Sequence, residues 1–503
     1  MNKEWFFQQL DQFQLGKLPT ERPHSSTVGM AELSVNSPEK ALKQYLDADF
    51  LALDVLTQEW GILRPLHASV VSCLLNGGRI FMAGCGATGR LVLGLEKILR
   101  TELPQVGENI ISFMAGGDLA LVHSLESFED FQEYGARQLM ELGYTSKDLF
   151  IGVTEGGETP FVIGATLKAA TISQAPVYFL FCNPIELLRN LTQRTHDVLS
   201  KENIVPLSFP IGPMALSGST RLQSCTVMQL ALGGVLFNAY HSFENAQEAM
   251  HETISKMRDL DLSGLAEIVQ EESEIYKNHG YVHFVSDAKC SLTVLTDTTE
   301  RSPTFSLYPF ENVRGPWKVA CWNYLSVEGA NNSFDAWKVI LGNRTARTLE
   351  WSELEGKASL KRLLGFDVSN KSLEKRRSYL PRLAPHKIFK VKQNGNKISF
   401  GIDKISYIES AHPLARQTLL KIVLNALSTI VMGRVGRYQS NIMTWVRPSN
   451  NKLIDRTIRN AQMLLEQDGR HVDYMDLAHK VFELLPEMHN DRSLVIDLYK
   501  CYK

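Results

Sequence analysis

The sequence predicts an α/β protein of two tandem three-layer αβα domains with parallel sheets, plus N-terminal and C-terminal helical segments. Three observations carry this. The chain has 503 residues, more than one hydrophobic core accommodates, so two domains are expected. Short apolar runs alternate with longer stretches of helical periodicity through the first half, the pattern of a parallel sheet covered on both faces. The same rhythm restarts, more faintly, after residue 280. The expected divisions are 1–45 (helical and extended), 46–260 (first domain), 261–455 (second domain) and 456–503 (helical).

Residues 1 to about 70 read as helices joined by a polar segment, Leu18-Pro-Thr-Glu-Arg-Pro-His-Ser-Ser-Thr27. The first strand is Arg79–Ala83, which runs into glycines. Asn109–Met114, Asp148–Val153, Val177–Cys182 and Ile204–Ser208 follow, with helical stretches such as Asp118–Leu142 and Thr159–Ala170 between them. A charged helix, Leu265–Lys277, separates the halves. In the second half Tyr281–Val285, Lys338–Leu341, Lys387–Val391 and Ile398–Ile402 read as strands, Ala415–Met432 as a long apolar helix, and 451–503 as amphipathic helix.

Composition excludes several classes. A 44% hydrophobic and 21% charged fraction is that of a globular protein, and the net charge of −2 comes without a long basic run. Nucleic acid is not expected as a partner, because phosphate-backbone binding needs clustered Lys and Arg. No unbroken apolar stretch reaches the ~18 residues of a membrane span, and Met1–Gln14, with Lys3, Glu4 and Asp11, is not composed like a signal peptide. Seven cysteines without CxxC spacing predict reduced thiols and a cytoplasmic protein rather than a disulfide framework or a metal site.

In such sheets ligands bind at the carboxyl ends of the strands. Three loops there have the make-up of an anion cradle: Gly84-Cys-Gly-Ala-Thr-Gly-Arg90, Thr154-Glu-Gly-Gly-Glu-Thr159 and Leu216-Ser-Gly-Ser-Thr-Arg221. Small residues let the backbone approach a ligand, and the helix after each loop offers free N–H groups and a positive dipole end. Gly86, Ala87 and Thr88, then Thr154, Gly156 and Thr159, then Ser217, Ser219 and Thr220 are the expected ligand-binding residues. Gly84, Gly86 and Gly89 also satisfy GxGxxG, but the second strand ends in Met114-Ala-Gly-Gly117 without the acidic residue a dinucleotide requires, so no cofactor is expected.

The ordered series of segments resembles two related families, the N-acetylmuramic acid 6-phosphate etherases and the glucokinase regulatory proteins. The first loop, Ala115-Gly-Gly-Asp118, Leu125-Glu-Ser-Phe-Glu-Asp130, Cys182-Asn-Pro184, Ile211–Arg221 and Leu18–Thr27 carry the likeness over most of residues 18–245. The resemblance implies sugar-isomerase-type (SIS) domains and a phosphorylated hexose or hexosamine as ligand. Its sugar-phosphate contacts would fall on Ala87, Thr88, Thr154, Gly156, Ser219, Thr220 and Glu126. The second loop departs from both families, so Glu155 and Glu158 either meet sugar hydroxyls or sit solvated at a helix start.

The etherase reaction needs a base for a carbon-bound proton and an acid for the leaving oxygen. Glu126 keeps the position of the base. Ile98 stands where the acid belongs, and Glu96, about 200° around the helix, is expected on the surface. In the second half Leu295-Thr-Asp-Thr-Thr-Glu-Arg-Ser-Pro-Thr-Phe305 resembles the acid-bearing segment, with Glu300 at the acid position. Glu311–Gly315, Leu419–Thr429, Gly436–Met443 and Val446–Leu453 resemble further family segments. The cradle loops are degraded there to Ser286-Asp-Ala-Lys-Cys-Ser291 and Ser410-Ala-His-Pro-Leu-Ala415. The resemblance implies an intramolecular pseudo-dimer with one live site, which Glu300 either reaches across the interface or flanks as a structural remnant. Arg90 is expected as a salt-bridge partner and His283 as a core residue. The functional expectation is a sugar-phosphate sensor acting on a partner such as a sugar kinase. The alternative is a lyase or isomerase using Glu126.

Overall fold

The computed structural model describes residues 3–8, 10–12, 14–125, 128–315, 317, 319–448, 450–488 and 491–503. In the first domain β1 (Ile80–Gly84), β2 (Ile110–Met114), β3 (Leu149–Val153), β4 (Val177–Phe181) and β5 (Ile204–Ser208) form a parallel sheet in the order β2-β1-β3-β4-β5. β1, β3 and β4 are buried along their whole length, which is why they read as unbroken apolar runs. The order reverses between β1 and β3, which makes their carboxyl ends the natural ligand crevice.

The second domain has β6 (Tyr281–Ser286), β7 (Asn323–Val327), β8 (His386–Asn394), β9 (Lys397–Gly401) and β10 (Ile405–Glu409), in the order β10-β9-β8-β6-β7. Counted within the domain this is the same strand order as the first. It is not fully parallel, however. β6 runs parallel to β7 and β8, whereas β9 is antiparallel to both β8 and β10. Asn394 pairs with Lys397 across a two-residue turn in which Gly395 has φ +57°. A turn that short joins only antiparallel strands. Hairpins stand where the first domain has two helical crossovers.

Other expectations need correction. Lys338–Leu341 is not a strand: Lys338 to Ile340 form the end of the helix Ser333–Ile340, whose cap Asn332 accepts the Asp335 N–H. The stretch 118–142 is not one helix. It has short 3-10 turns at Asp118–Leu121 and Phe128–Asp130 before the helix Gln132–Glu141. Gly116 and Gly117 take positive φ there, and the Asp118 N–H donates to the Arg347 carbonyl of the second domain. The helix Pro38–Gln58 runs across 45/46 and Asn451–Gln467 across 455/456, while 260/261 falls between the helices Phe243–Met257 and Leu265–Lys277.

Helices Gly86–Glu102 and Gln223–Phe237 of the first domain pack against Ser291–Phe305 and Pro413–Arg434 of the second. Pro413–Arg434 is apolar and long enough to cross a membrane by composition, and it is almost wholly buried in this interface as a core helix. The two ends of the chain close over the first domain. Pro23 bridges Met214, and the His24 N–H donates to the Met214 carbonyl at 2.8 Å. Phe6 packs on Phe482 and Phe7 stacks on His479, fixing the first helix to the last helices.

Candidate functional site

Loop one becomes a helix start. The helix Gly86–Glu102 begins directly after Cys85, so the N–H groups of Gly86 and Ala87 have no partner within the helix. Gly86 has φ +52° and open space where a Cβ would stand, whereas a Cβ on Gly84 or Gly89 would collide at 2.5 Å with Gly89 N and Met114 respectively. Two of the glycines therefore serve close packing and one serves access. The buried Thr88 hydroxyl accepts the Cys85 N–H (3.1 Å) and donates to the Cys85 carbonyl (2.9 Å), so it shapes the loop.

In the second loop the buried Thr154 and Thr159 hydroxyls bond each other at 2.9 Å, and the Gly156 carbonyl accepts from Asn183 Nδ2 at 3.1 Å. The two loop glutamates are not solvated. Glu158 is buried between Arg194 (2.8 Å) and Lys452 (2.9 Å). Burial alone would raise its carboxyl, but those two cations hold it down to about 2. Glu155 is half-buried beside the Thr220 hydroxyl and the Cys225 thiol, and its carboxyl is pushed up to about 7, first by burial and further by nearby Glu300.

The third loop is held from outside. The Ser217 N–H donates to the Asn441 carbonyl, and its hydroxyl accepts the Met443 N–H at 3.0 Å. The Ser219 hydroxyl, on a residue 4% exposed, has no hydrogen-bond partner. A Cβ on Gly218 would stand 2.8 Å from both Arg456 Nε and Glu21 Oε2, which pair with each other directly above it.

Glu300 does cross the interface. Its Oε1 meets Arg90 Nε at 2.5 Å, and it lines a cavity between the domains together with Ala87, Ile98 and Cys225. Arg90 also donates to the carbonyls of Ala120 and Leu121 and to the Thr299 hydroxyl, so it is the salt-bridge partner expected. Arg221, which ends the third loop, pairs with Asp297 one turn before Glu300 on the same helix. Glu126, the expected base, lies outside the described residues.

Several participants were not anticipated. Lys452 and Arg456, one helical turn apart on Asn451–Gln467, bring the C-terminal segment onto the site, and Asn450 Nδ2 donates to Glu129. Glu158 and Glu129 hold the Lys452 ammonium above the usual lysine range against the effect of burial. Asp130 is pushed up to about 7 by burial and by neighbouring Glu129. The only sequence signal for the two cations was their i, i+4 spacing after Val446-Arg-Pro-Ser-Asn-Asn451. Glu96 needs correction: it is 1% exposed, and it pairs with Arg344 and Arg347 of the second domain and accepts the Ser112 N–H.

In the second domain the corresponding helix start is already occupied. Asp287 accepts the Cys290 N–H at 2.9 Å and also the Gln393 N–H. The Lys97 ammonium reaches across to the Ala288 carbonyl and the Ser291 hydroxyl, each at 2.7 Å. Asp287, a carboxylate of the chain itself, thus stands beside the start of this helix. His283 is a core residue, bonded to Ser326 at 2.6 Å.

The family described as the glucokinase regulatory protein N-terminal SIS domain matches residues 66–170. N-acetylmuramic acid 6-phosphate etherase 2 of Enterococcus faecalis is 31% identical over 219 residues, 43% of this chain and 69% of that protein. The N-acetylmuramic acid 6-phosphate etherase of Staphylococcus epidermidis is 32% identical over 220 residues, with the same two coverages. The solved tagatose-6-phosphate ketose/aldose isomerase of Escherichia coli is 11% identical, with 85% of this chain and 99% of that chain covered and a TM-score of 0.41. By these relatives, the chain belongs to the family of N-acetylmuramic acid 6-phosphate etherases.

Proposed function

We infer that the chain binds a phosphorylated sugar in the first domain and uses it as a signal. The phosphate meets the Gly86 and Ala87 N–H groups and the Ser219 and Thr220 hydroxyls, flanked by Lys452 and Arg456. The observation that carries this reading is Glu300. The candidate acid reaches the site, but its Oε1 is engaged with Arg90, and Ile98 occupies the other position an acid would need. The arrangement favours holding a sugar phosphate over cleaving it. Arg90 and Arg221 each tie a binding loop to the helix Ser291–Phe305, which offers a route from the ligand to the second domain. Such a signal requires the ligand to favour one arrangement of the domains. The partner the family implies is a sugar kinase.

A second reading has one observation in its favour. Glu155, pushed up to about 7, is poised to give or take a proton at neutral pH, as an etherase or isomerase would require alongside Glu126. Thermal melting with fructose 6-phosphate, glucosamine 6-phosphate and N-acetylmuramic acid 6-phosphate tests binding. A ligand at 100 times its Kd adds about 2.7 kcal/mol of stability. The shift is expected in the native chain and absent in Ser219→Ala/Thr220→Ala. No shift with any sugar phosphate sinks the binding reading. Turnover that Glu155→Gln abolishes while binding persists replaces the sensor by an enzyme.

A further inference from the structure

The charges around the cradle do not balance. Three carboxylates there have arginine or lysine partners: Glu158 with Arg194 and Lys452, Glu21 with Arg456, and Glu300 with Arg90. Three others, Glu129, Asp130 and Glu155, have no ion pair among the described residues. Among the described residues Glu129 accepts from the Cys85 thiol and Asn450, and it shares the field of the Lys452 ammonium with Glu158 without pairing to it. Glu155 is touched by the Thr220 hydroxyl and the Cys225 thiol; the Lys452 ammonium, already paired with Glu158, acts on it from a distance, and Glu300, whose own positive partner is Arg90, opposes it. A phosphate placed on the first and third loops adds negative charge to a partly buried site that already has too much of it.

The site nevertheless bears the marks of a binding site. The Ser219 hydroxyl is buried and unpartnered in the same loop whose Thr220 holds Glu155. Glu155 therefore stands beside the residue that follows a vacant hydrogen-bonding group. A ligand that brings its own positive charge removes the conflict. We propose that the preferred ligand is a sugar phosphate with a free protonated amine, a 2-amino-2-deoxyhexose 6-phosphate, with its phosphate at the first and third loops and its ammonium at Glu155. This rests on the sugar-phosphate reading above and narrows its substrate class. An acylated amine carries no charge, so N-acetyl sugars lose the advantage. A neutral sugar phosphate must instead bind against the unpaired carboxylates or together with a proton.

Equilibrium titration of the full chain at pH 7.5 tests this, with glucosamine 6-phosphate, glucose 6-phosphate and N-acetylglucosamine 6-phosphate as probes. Glucosamine 6-phosphate is expected to bind at least tenfold tighter than the other two. In the isosteric Glu155→Gln variant the gap is expected to close to within about threefold, with glucose 6-phosphate binding no more weakly than before. Equal affinities in the native chain, or a gap that survives Glu155→Gln, overturn the assignment and leave the sugar-phosphate reading standing. Failure of all three probes to bind overturns both.

Discussion

The two domains share a strand order and differ at the strand ends. After β1 the first domain has Gly86 and Ala87 opening a helix with free N–H groups; after β6 the second has Asp287 accepting the Cys290 and Gln393 N–H groups just before its helix. After β3 the first domain carries a loop and a crossover helix; after β8 the second turns back in a hairpin at Gly395. Two domains with one strand order can thus differ in whether the helix start after the first strand is open. The second domain is also in close contact with the first. Its helix Ser291–Phe305 receives Arg90 and Arg221 from the two loops, and Arg344 and Arg347 receive Glu96 and Asp118. The difference teaches that the second domain works as a support for the first domain's loops.

The largest effect should come from cutting that support. Arg90→Met leaves Glu300 nearly buried and unpaired, and losing one partner of a buried pair costs about 3–5 kcal/mol. Urea denaturation should report a loss of that order together with weaker sugar-phosphate binding. An unchanged midpoint would mean that the interface does not depend on this pair.

A smaller effect separates the two regions by pH. The folded state raises Glu155 from 4.5 to about 7 and Asp130 from 3.8 to about 7. Between those limits the folded chain holds more protons than the unfolded one. Its stability should therefore fall as pH rises from about 4 to 7. Glu155→Gln should flatten part of that slope, measured as Tm against pH. A slope unaffected by the variant would show that Glu155 titrates normally.

The smallest effect is expected at the degenerate site. Asp287→Ala takes the acceptor from the Cys290 and Gln393 N–H groups, a cost of about 1 kcal/mol, and should leave sugar-phosphate affinity unchanged. A clear loss of affinity would make the second domain part of the binding site.

How much of this was legible in the sequence follows from where each residue finds its partners. β1, β3 and β4 were legible because strands buried on both faces read as apolar runs, and β2 and β5, partly exposed, still read as short apolar runs. β7 was not, because Asn323 and Ser326 break the run and their partners, the Thr298 carbonyl and His283, are set by tertiary contact. The three loops were legible from small residues before helices, yet the structure divides their labour. Thr88, Thr154, Thr159 and Ser217 brace the loops through their hydroxyls, and Ser219 alone among those hydroxyls is left without a partner. Glu96 was misjudged because a helical wheel holds no information about Arg344 and Arg347, which arrive from about 250 residues later. Lys452 and Arg456 were missed for the same reason, since only the folded chain brings the last helices over the first domain.

The most direct test of one live cradle beside one supporting domain is the number of sugar phosphates bound per chain. Saturating titration should give one, lost in Ser219→Ala/Thr220→Ala and retained in Asp287→Ala. Two per chain, or one that survives the Ser219 and Thr220 substitutions, would contradict the account.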